Sequence, residues 1–242
     1  MKIKDVNVYA LEESIVASRF PMDTGKVVDN FEEEVSRIKI LTVDEVKKLT
    51  ATKLAKAELG SGHDCYLKGI IVQANIRYKQ YWSMQVQRYN WFNIVSSNSK
   101  MHRITELVEK DYKHKENKTA MEVELCNIVE QYKNKEVSID DVMDYVPMSF
   151  ELWERATMNY LQLKAVYQQR RNHKSREWQD FCDWIETLPL SFLITESYNE
   201  KVELKKLVKE LQGQVVDLSE ENRHLNLELE QILNEKGRLE GA

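Results

Sequence analysis

Residues 75–103 read NIRYKQYWSMQVQRYNWFNIVSSNSKMHR. This stretch sets Tyr78, Tyr81, Trp82 and Tyr89 before and around a Gln85-x-x-Arg88 pair, and leaves through a serine-rich run into Met101, His102 and Arg103. Aromatic rings, an arginine and small hydroxyls are what holds a planar ring together with a phosphate, because arginine offers a planar fork of donors to phosphate oxygens. The same pattern also describes a buried amphipathic helix with aromatics at an interface. Its spacing predicts a helix from about Ile76 to Phe92, broken at Ser96–Ser99.

Working outward, the chain has 242 residues, 42% of them hydrophobic and 31% charged, with only three prolines and seven glycines. That allows one good-sized domain with an appendage and argues against a turn-rich sandwich or barrel. Of the net charge of −5, the segment from Glu196 onward carries −4, so the body is nearly neutral and neither part advertises a nucleic-acid surface. Cys65, Cys126 and Cys182 are far apart and lack metal-ligand spacing, which fits reduced thiols in a cytoplasmic protein. No apolar leader or membrane-length run occurs, so neither export by a signal peptide nor membrane insertion is expected.

Along the chain, Ile3–Leu11 reads as a short strand and Glu12–Phe20 as a helix stopped by Pro21. Thr42 and Asp44 open a helix over Val43–Leu59 that Gly60-Ser61-Gly62 ends. The apolar end of His63–Val72 suits a buried strand. Met101–Tyr132 is helical around a solvated DYKHKENK turn, and Ile139–Tyr145 leads to Pro147. Ser149–Trp184 reads as a second long helical region with a basic, solvated middle, QQRRNHKSREW.

The tail repeats every seventh residue: Leu204, Leu211, Leu218, Leu225, Ile232 and Leu239. Val208, Val215, Asn222 and Leu229 hold the interleaved positions. Branched residues at a with leucine at d favour a parallel two-stranded coiled coil, and a lone asparagine at a fixes register. The rod is roughly 58 Å long. The residues ahead of it, TESYNEKVE, are acidic on balance, which excludes a basic-zipper DNA binder. Residues 1–190 are thus expected as body and 197–240 as leucine zipper.

The common phosphate-loop, zinc-protease, nucleophile-elbow and calcium-loop signatures are absent. His63-Asp64-Cys65 groups a nucleophile with its partners, yet sequence neighbours point in different directions. A buried thiol beside a capping Asp64 is the better reading.

The order of these segments resembles the flavin-dependent thymidylate synthase family. DVNVYALEESIVASRF is similar to that family's opening strand and Ala-Ala-Arg helix, and LGSGHDCYLKGIIV to its Gly-His-x-Ser stretch. QVQRYNWFNIVSSNS stands where the family has Gln-x-x-Arg-His-Arg and Ser-x-Asn-Glu-x-Ser. Met158-Asn159 through Arg170 resembles its second site helix. The family's His-Arg is Tyr89-Asn90 here, its acidic residue among the serines has no counterpart, and a further Arg and Asn fall on Leu161 and Ala165.

The resemblance implies an α+β body with a small central sheet flanked by long helices, and FAD as cofactor. It implies methylation of dUMP with no protein nucleophile. Arg88, Ser97 and Asn159 would face the cofactor, and Gln85, Ser99 and Arg170 the nucleotide. Arg171, His173 and Lys174, or His102 and Arg103, stand near enough in sequence to replace the lost arginines. The expected partners are a small nucleotide and other copies of the chain, as a dimer through the zipper and a tetramer through the body. A non-catalytic oligomeric protein on the same fold, and an unrelated helical scaffold, are the competing readings. The composition suits a bacterial or phage product.

Overall fold

In a computed structural model, residues 1–89 and 92–240 are described, with 230–240 as backbone only. The chain forms two compact units, Met1–Thr195 and Glu196–Ala242.

The first unit opens with β1 (Lys2–Tyr9) and α1 (Leu11–Ala17). Then come α2 (Lys26–Asp29), α3 (Phe31–Lys39), α4 (Val43–Lys47) and α5 (Thr50–Ala55). A 3-10 turn over Cys65–Gly69 leads into β2 (Ile71–Lys79), α6 (Gln80–Val86) and β3 (Asn93–Ser97). Next are α7 (Lys100–Val108), α8 (Ala120–Lys133) and α9 (Ile139–Asp144), followed by β4 (Glu151–Asn159), α10 (Tyr160–Arg170) and α11 (Arg176–Glu186). The last helix, α12 (Phe192–Glu240), runs into the second unit.

The strands form one antiparallel sheet in the order β1-β2-β4-β3. Val72, Ala74, Ile76 and Tyr78 of β2 are buried and pair with Met158, Ala156, Glu154 and Leu152 of β4. Side chains alternate along a strand, so these residues share the core face, while Gln73, Asn75 and Arg77 share the other face with Thr157, Arg155 and Trp153. Against the core face, Trp82 packs on Tyr78, Trp178 and Phe181 at ring distances of 4.7, 4.9 and 5.3 Å. A second core, with Ile104, Val108, Leu125, Val129, Val142 and Phe150, joins α7, α8 and α9.

An α+β body with a small sheet is what the sequence predicts, but two of the predicted helices are part strand. Ile76–Phe92 is β2 as far as Lys79, and only Gln80–Val86 is helical. Tyr78, Trp82 and Val86 are all buried at spacings of four. That imitates a helical stripe although Tyr78 stands on a strand. Ser149–Trp184 likewise divides into β4, α10 and α11, because Glu154, Ala156 and Met158 bury at period two before the helix starts. Val43–Leu59 breaks at Leu49, whose backbone is extended, into α4 and α5. Its start stands as read, with a reciprocal Thr42–Glu45 capping box. The helices α2 and α3 lie between Pro21 and Thr42, where the sequence reading assigns no element.

Gly69 is required by close approach, since a Cβ there would come within 2.4 Å of Ser14 Oγ. The basic stretch after α10 is not a free polar face: Arg171 pairs with Asp183 at 2.5 Å and Glu186 at 3.2 Å. Cys65 is exposed and Asp64 is buried, reversing the expected buried thiol and capping aspartate. Asp64 turns inward because Lys164, with no exposed surface, donates to its Oδ2 at 2.6 Å and to the Ala57 carbonyl at 2.6 Å.

Removing one partner of such a pair leaves a buried charge uncompensated. Asp64→Ala is expected to lower unfolding stability by about 3 kcal/mol. The apolar double variant Asp64→Leu/Lys164→Met should lose clearly less, as read from urea denaturation midpoints.

Candidate functional site

The helix α6 buries Trp82 and Val86 against the sheet, which sets Gln85 on its flank toward α11. There Gln85 Oε1 accepts from Trp178 Nε1 at 2.8 Å. Tyr89 follows, its ring 5.7 Å from that of Trp178. Arg170, the last residue of α10, donates from Nε to Tyr89 Oη at 2.7 Å and lies 5.0 Å over the Trp178 ring. Tyr89 Oη in turn donates to Gln169 Oε1 at 3.0 Å. Gln85 and Arg170 are therefore brought together, through Trp178. Arg88 is exposed, with no hydrogen bond or ion pair among the described residues. Asn90 lies outside the described residues.

At the other end of α10, Asn159 is the N-cap. Its Oδ1 accepts from the Gln162 N–H at 3.0 Å, and its own N–H donates to Gln162 Oε1 at 2.7 Å. Eleven residues make just over three full turns, so Asn159 and Arg170 share one side of the helix about 16 Å apart. Beside Asn159 opens a cavity of about 420 Å³, walled by Leu161, Gln162 and Ala165 on one side and by Leu59 and Lys68 on the other. It is mainly apolar. The two positions where the resembled family carries an Arg and an Asn, Leu161 and Ala165, are what make it so.

The serines sit elsewhere. Ser97 on β3 pairs with Glu154 of β4, next to a groove of about 310 Å³ that Lys4, Asn75, Asn98 and Arg155 also line. Ser99 caps α7, its Oγ accepting from the His102 N–H at 3.3 Å. Arg155 is a hub that sequence reasoning missed: it donates to the Asp5 carbonyl at 2.7 Å, Asn75 Oδ1 at 3.3 Å and Gln73 Oε1 at 3.2 Å. The strand alternation of β4, had it been recognised, would have set Arg155 opposite Asn75.

Of the substitute cations, Arg171 is tied to Asp183 and Glu186, and Arg103 to Glu106 at 2.9 Å. His173 titrates below its ordinary range, first from partial burial and then from the Arg170 and Lys174 charges. Burial pushes the Cys182 thiol up to about 12, which makes it a poor nucleophile. No group of three or more His, Cys, Asp or Glu residues is placed to hold a metal among the described residues. No described helix is long and apolar enough to cross a membrane.

The strands β2 and β4 each run directly into a helix, α6 and α10, and the fold as a whole matches that of flavin-dependent thymidylate synthases. Solved structures that share it include ThyX from Helicobacter pylori complexed with FAD and dUMP. That match has a TM-score of 0.59 at 15% identity, over 81% of this chain and 99% of that one. A second, the UMP/dUMP methylase PolB from Streptomyces cacaoi bound with 5-Br dUMP, matches with a TM-score of 0.52 at 12% identity, over 82% and 95%. No protein-family model and no curated protein matches the sequence. The chain is a divergent bearer of the ThyX fold.

Glu154 is buried on the core face, and its Oε2 has no partner among the described residues. Burial raises its carboxyl to about 7. Between the ordinary carboxyl range and pH 7 the folded chain holds a proton that the unfolded chain has lost, so stability falls as pH rises through this window. Unfolding midpoints measured from pH 4.5 to 7.5 should show that decline in the native sequence, and Glu154→Gln should flatten it.

Proposed function

We propose that this chain is a divergent flavin-dependent thymidylate synthase-like protein that binds FAD and a pyrimidine nucleotide, with methylation of dUMP as its reaction. The observation that carries the reading is the cavity at Asn159, on a helix that also bears Arg170, within a fold shared by structures holding FAD and dUMP. The lining fits the ring end of a flavin. Leu59, Leu161 and Ala165 form an apolar shelf for a planar ring, and Lys68 and the Asn159 amide supply donors at its edge. A bound flavin supplies the redox chemistry that no side chain has, which is why no catalytic residue is assigned.

The chain's own part is positioning and charge. Asn159 orients the ring edge. Arg88, with its guanidinium unclaimed among the described residues, takes phosphate oxygens together with Ser97 on the cofactor side. Gln85, Ser99 and Arg170 form the nucleotide wall. These groups are spread over one protomer, so the site is completed between copies.

The copies are joined by the tail. In α12 the side chains of Leu204, Leu211, Leu218 and Leu225 are 48–63% exposed, and Val208, Val215 and Leu229 are exposed beside them. Ile232 and Leu239 continue the repeat outside the described side chains. A parallel coiled coil over 197–240, with Asn222 against its counterpart, covers this seam. The body, 1–190, would associate further into a tetramer.

A second reading has an observation of its own. Gln85 and Arg170 already satisfy each other's surroundings through Trp178 and Tyr89. That favours a non-catalytic oligomeric protein in which this wall has become structural.

Purified protein is expected to bind FAD, with flavin absorbance, and Arg88→Ala should weaken it about tenfold or more without loss of fold, since the side chain is exposed and unpaired among the described residues. A colourless protein that takes up no FAD on titration overturns the flavin reading. Sedimentation supplies the test of the tail. Deleting 197–242, or placing Leu218→Glu in the full chain, should lower the oligomer mass, and an unchanged mass excludes the coiled coil as an assembly element.

A further inference from the structure

The two walls of the cavity beside Asn159 differ in charge. On α10 the lining is Leu161, Gln162 and Ala165, none of them ionisable, and on the facing wall Leu59 is apolar. Among the described residues Lys68 is the one charged group that lines it. The local fold leaves this ammonium unclaimed. The 3-10 turn over Cys65–Gly69 buries Leu67 and turns Lys68 outward. Asp64, just before the turn, faces inward and is engaged by Lys164 at 2.6 Å. Lys68 itself makes no hydrogen bond or ion pair among the described residues. Across the cavity, Asn159 Oδ1 is taken by the Gln162 N–H, and its Nδ2 has no partner among the described residues. The lining therefore offers one cation and one free amide donor, and no carboxylate among the described residues.

Such a lining discriminates between ligands by charge. An oxidised flavin ring is neutral. The reduced ring, once it has lost the proton at N1, carries a negative charge over N1 and the C2 carbonyl, the region through which a nearby charge tunes a flavin. In open solvent an exposed ammonium is screened. A ring seated against Leu59, Leu161 and Ala165 displaces that solvent, and the same charge then acts through a medium of lower dielectric.

We propose that Lys68 is the electrostatic partner of the reduced ring, so that the chain binds reduced flavin more tightly than oxidised flavin and raises its reduction potential. The proposal rests on the flavin reading of this cavity and adds the redox state the cavity favours. The electron count is simple: the oxidised ring takes two electrons and one proton to become the anion, and Lys68 keeps its own protons throughout. Tenfold tighter binding of the reduced form corresponds to a rise of about 30 mV for a two-electron couple. Because one proton rather than two accompanies the electrons, the potential also falls less steeply with pH.

Anaerobic titration of the full chain with FAD, using dithionite as reductant and a reference dye, measures the midpoint potential. An absorbance titration measures the affinity for the oxidised form. Lys68→Gln, an exposed position, is expected to lower the potential by about 30 mV, a tenfold change in the ratio of the two affinities. It should also steepen the dependence of the potential on pH, and Lys68→Arg should restore both. Lys39→Gln, which removes an exposed cation on α3, should change neither. If FAD is bound but the potential is the same in the native chain and Lys68→Gln, or falls equally in Lys39→Gln, this proposal fails and the flavin reading stands. A native chain that takes up FAD in neither redox state overturns both.

Discussion

Lys164 is a charged side chain with no exposed surface, and such a group persists only when it is paired and hydrogen-bonded. Asp64 supplies the countercharge and the Ala57 carbonyl takes a second proton of the ammonium. The positions of these partners matter as much as their chemistry. Ala57 is two residues before Leu59, and Asp64 four before Lys68, the two residues that form one wall of the cavity at Asn159. Lys164 itself stands beside Ala165, in the opposite wall. One ion pair therefore sets how far apart the walls stand, and a hydrophobic substitute of equal volume would keep the packing without that directional tie.

The same helix is held at its far end by quite different forces. Trp178 receives the Arg170 guanidinium on its face, gives its N–H to Gln85, and packs edge-on against Tyr89. Cation–π contact of this kind contributes on the order of 1 kcal/mol, less than a buried ion pair is at stake for, but it orients a long side chain at small entropic cost. The helix α10 is thus fixed by charge in the middle and by aromatic packing at its end. Asn159 at its start is left to cap the helix and to face the cavity.

How much of this is legible from residues alone depends on which period the burial follows. The heptads of the tail, the cap at Thr42 and the short first strand involve neighbours in sequence, and each could be read directly. The strands β2 and β4 could not, because Tyr78–Trp82–Val86 and Leu152–Tyr160–Leu163–Tyr167 satisfy helical spacing across a strand–helix junction. That error hid Glu154 and Arg155, whose partners lie across the sheet. Asn159 and Arg170 were legible as residues of one helix. The meeting of Gln85 with Arg170 was not, since Trp178, remote in sequence from Gln85, is what joins them. The helix α2 is too short for a period to show, but α3 carries one, with Phe31, Val35 and Ile38 at i, i+4 and i+7, and was legible.

The tail shows the converse, a segment whose sequence says more than its own packing. Its leucines are as exposed as a side chain on an isolated helix, and each would gain roughly 1.5–3 kcal/mol on full burial. In the proposed pair, Glu200 at g meets Lys205 at e and Glu235 meets Glu240, one attraction against one repulsion, while Glu221 and Glu228 meet Asn226 and Leu233. Interhelical charge pairing therefore neither selects nor forbids a like partner. Selection passes to Asn222, the one polar group in the seam between Val208 and Leu229. Matched with another asparagine it is satisfied, and against leucine or valine it is a buried amide without a partner, which costs about 1–3 kcal/mol. In the proposed pair a copy of this chain, parallel and in register, meets that requirement, as does any partner with an asparagine at the same position.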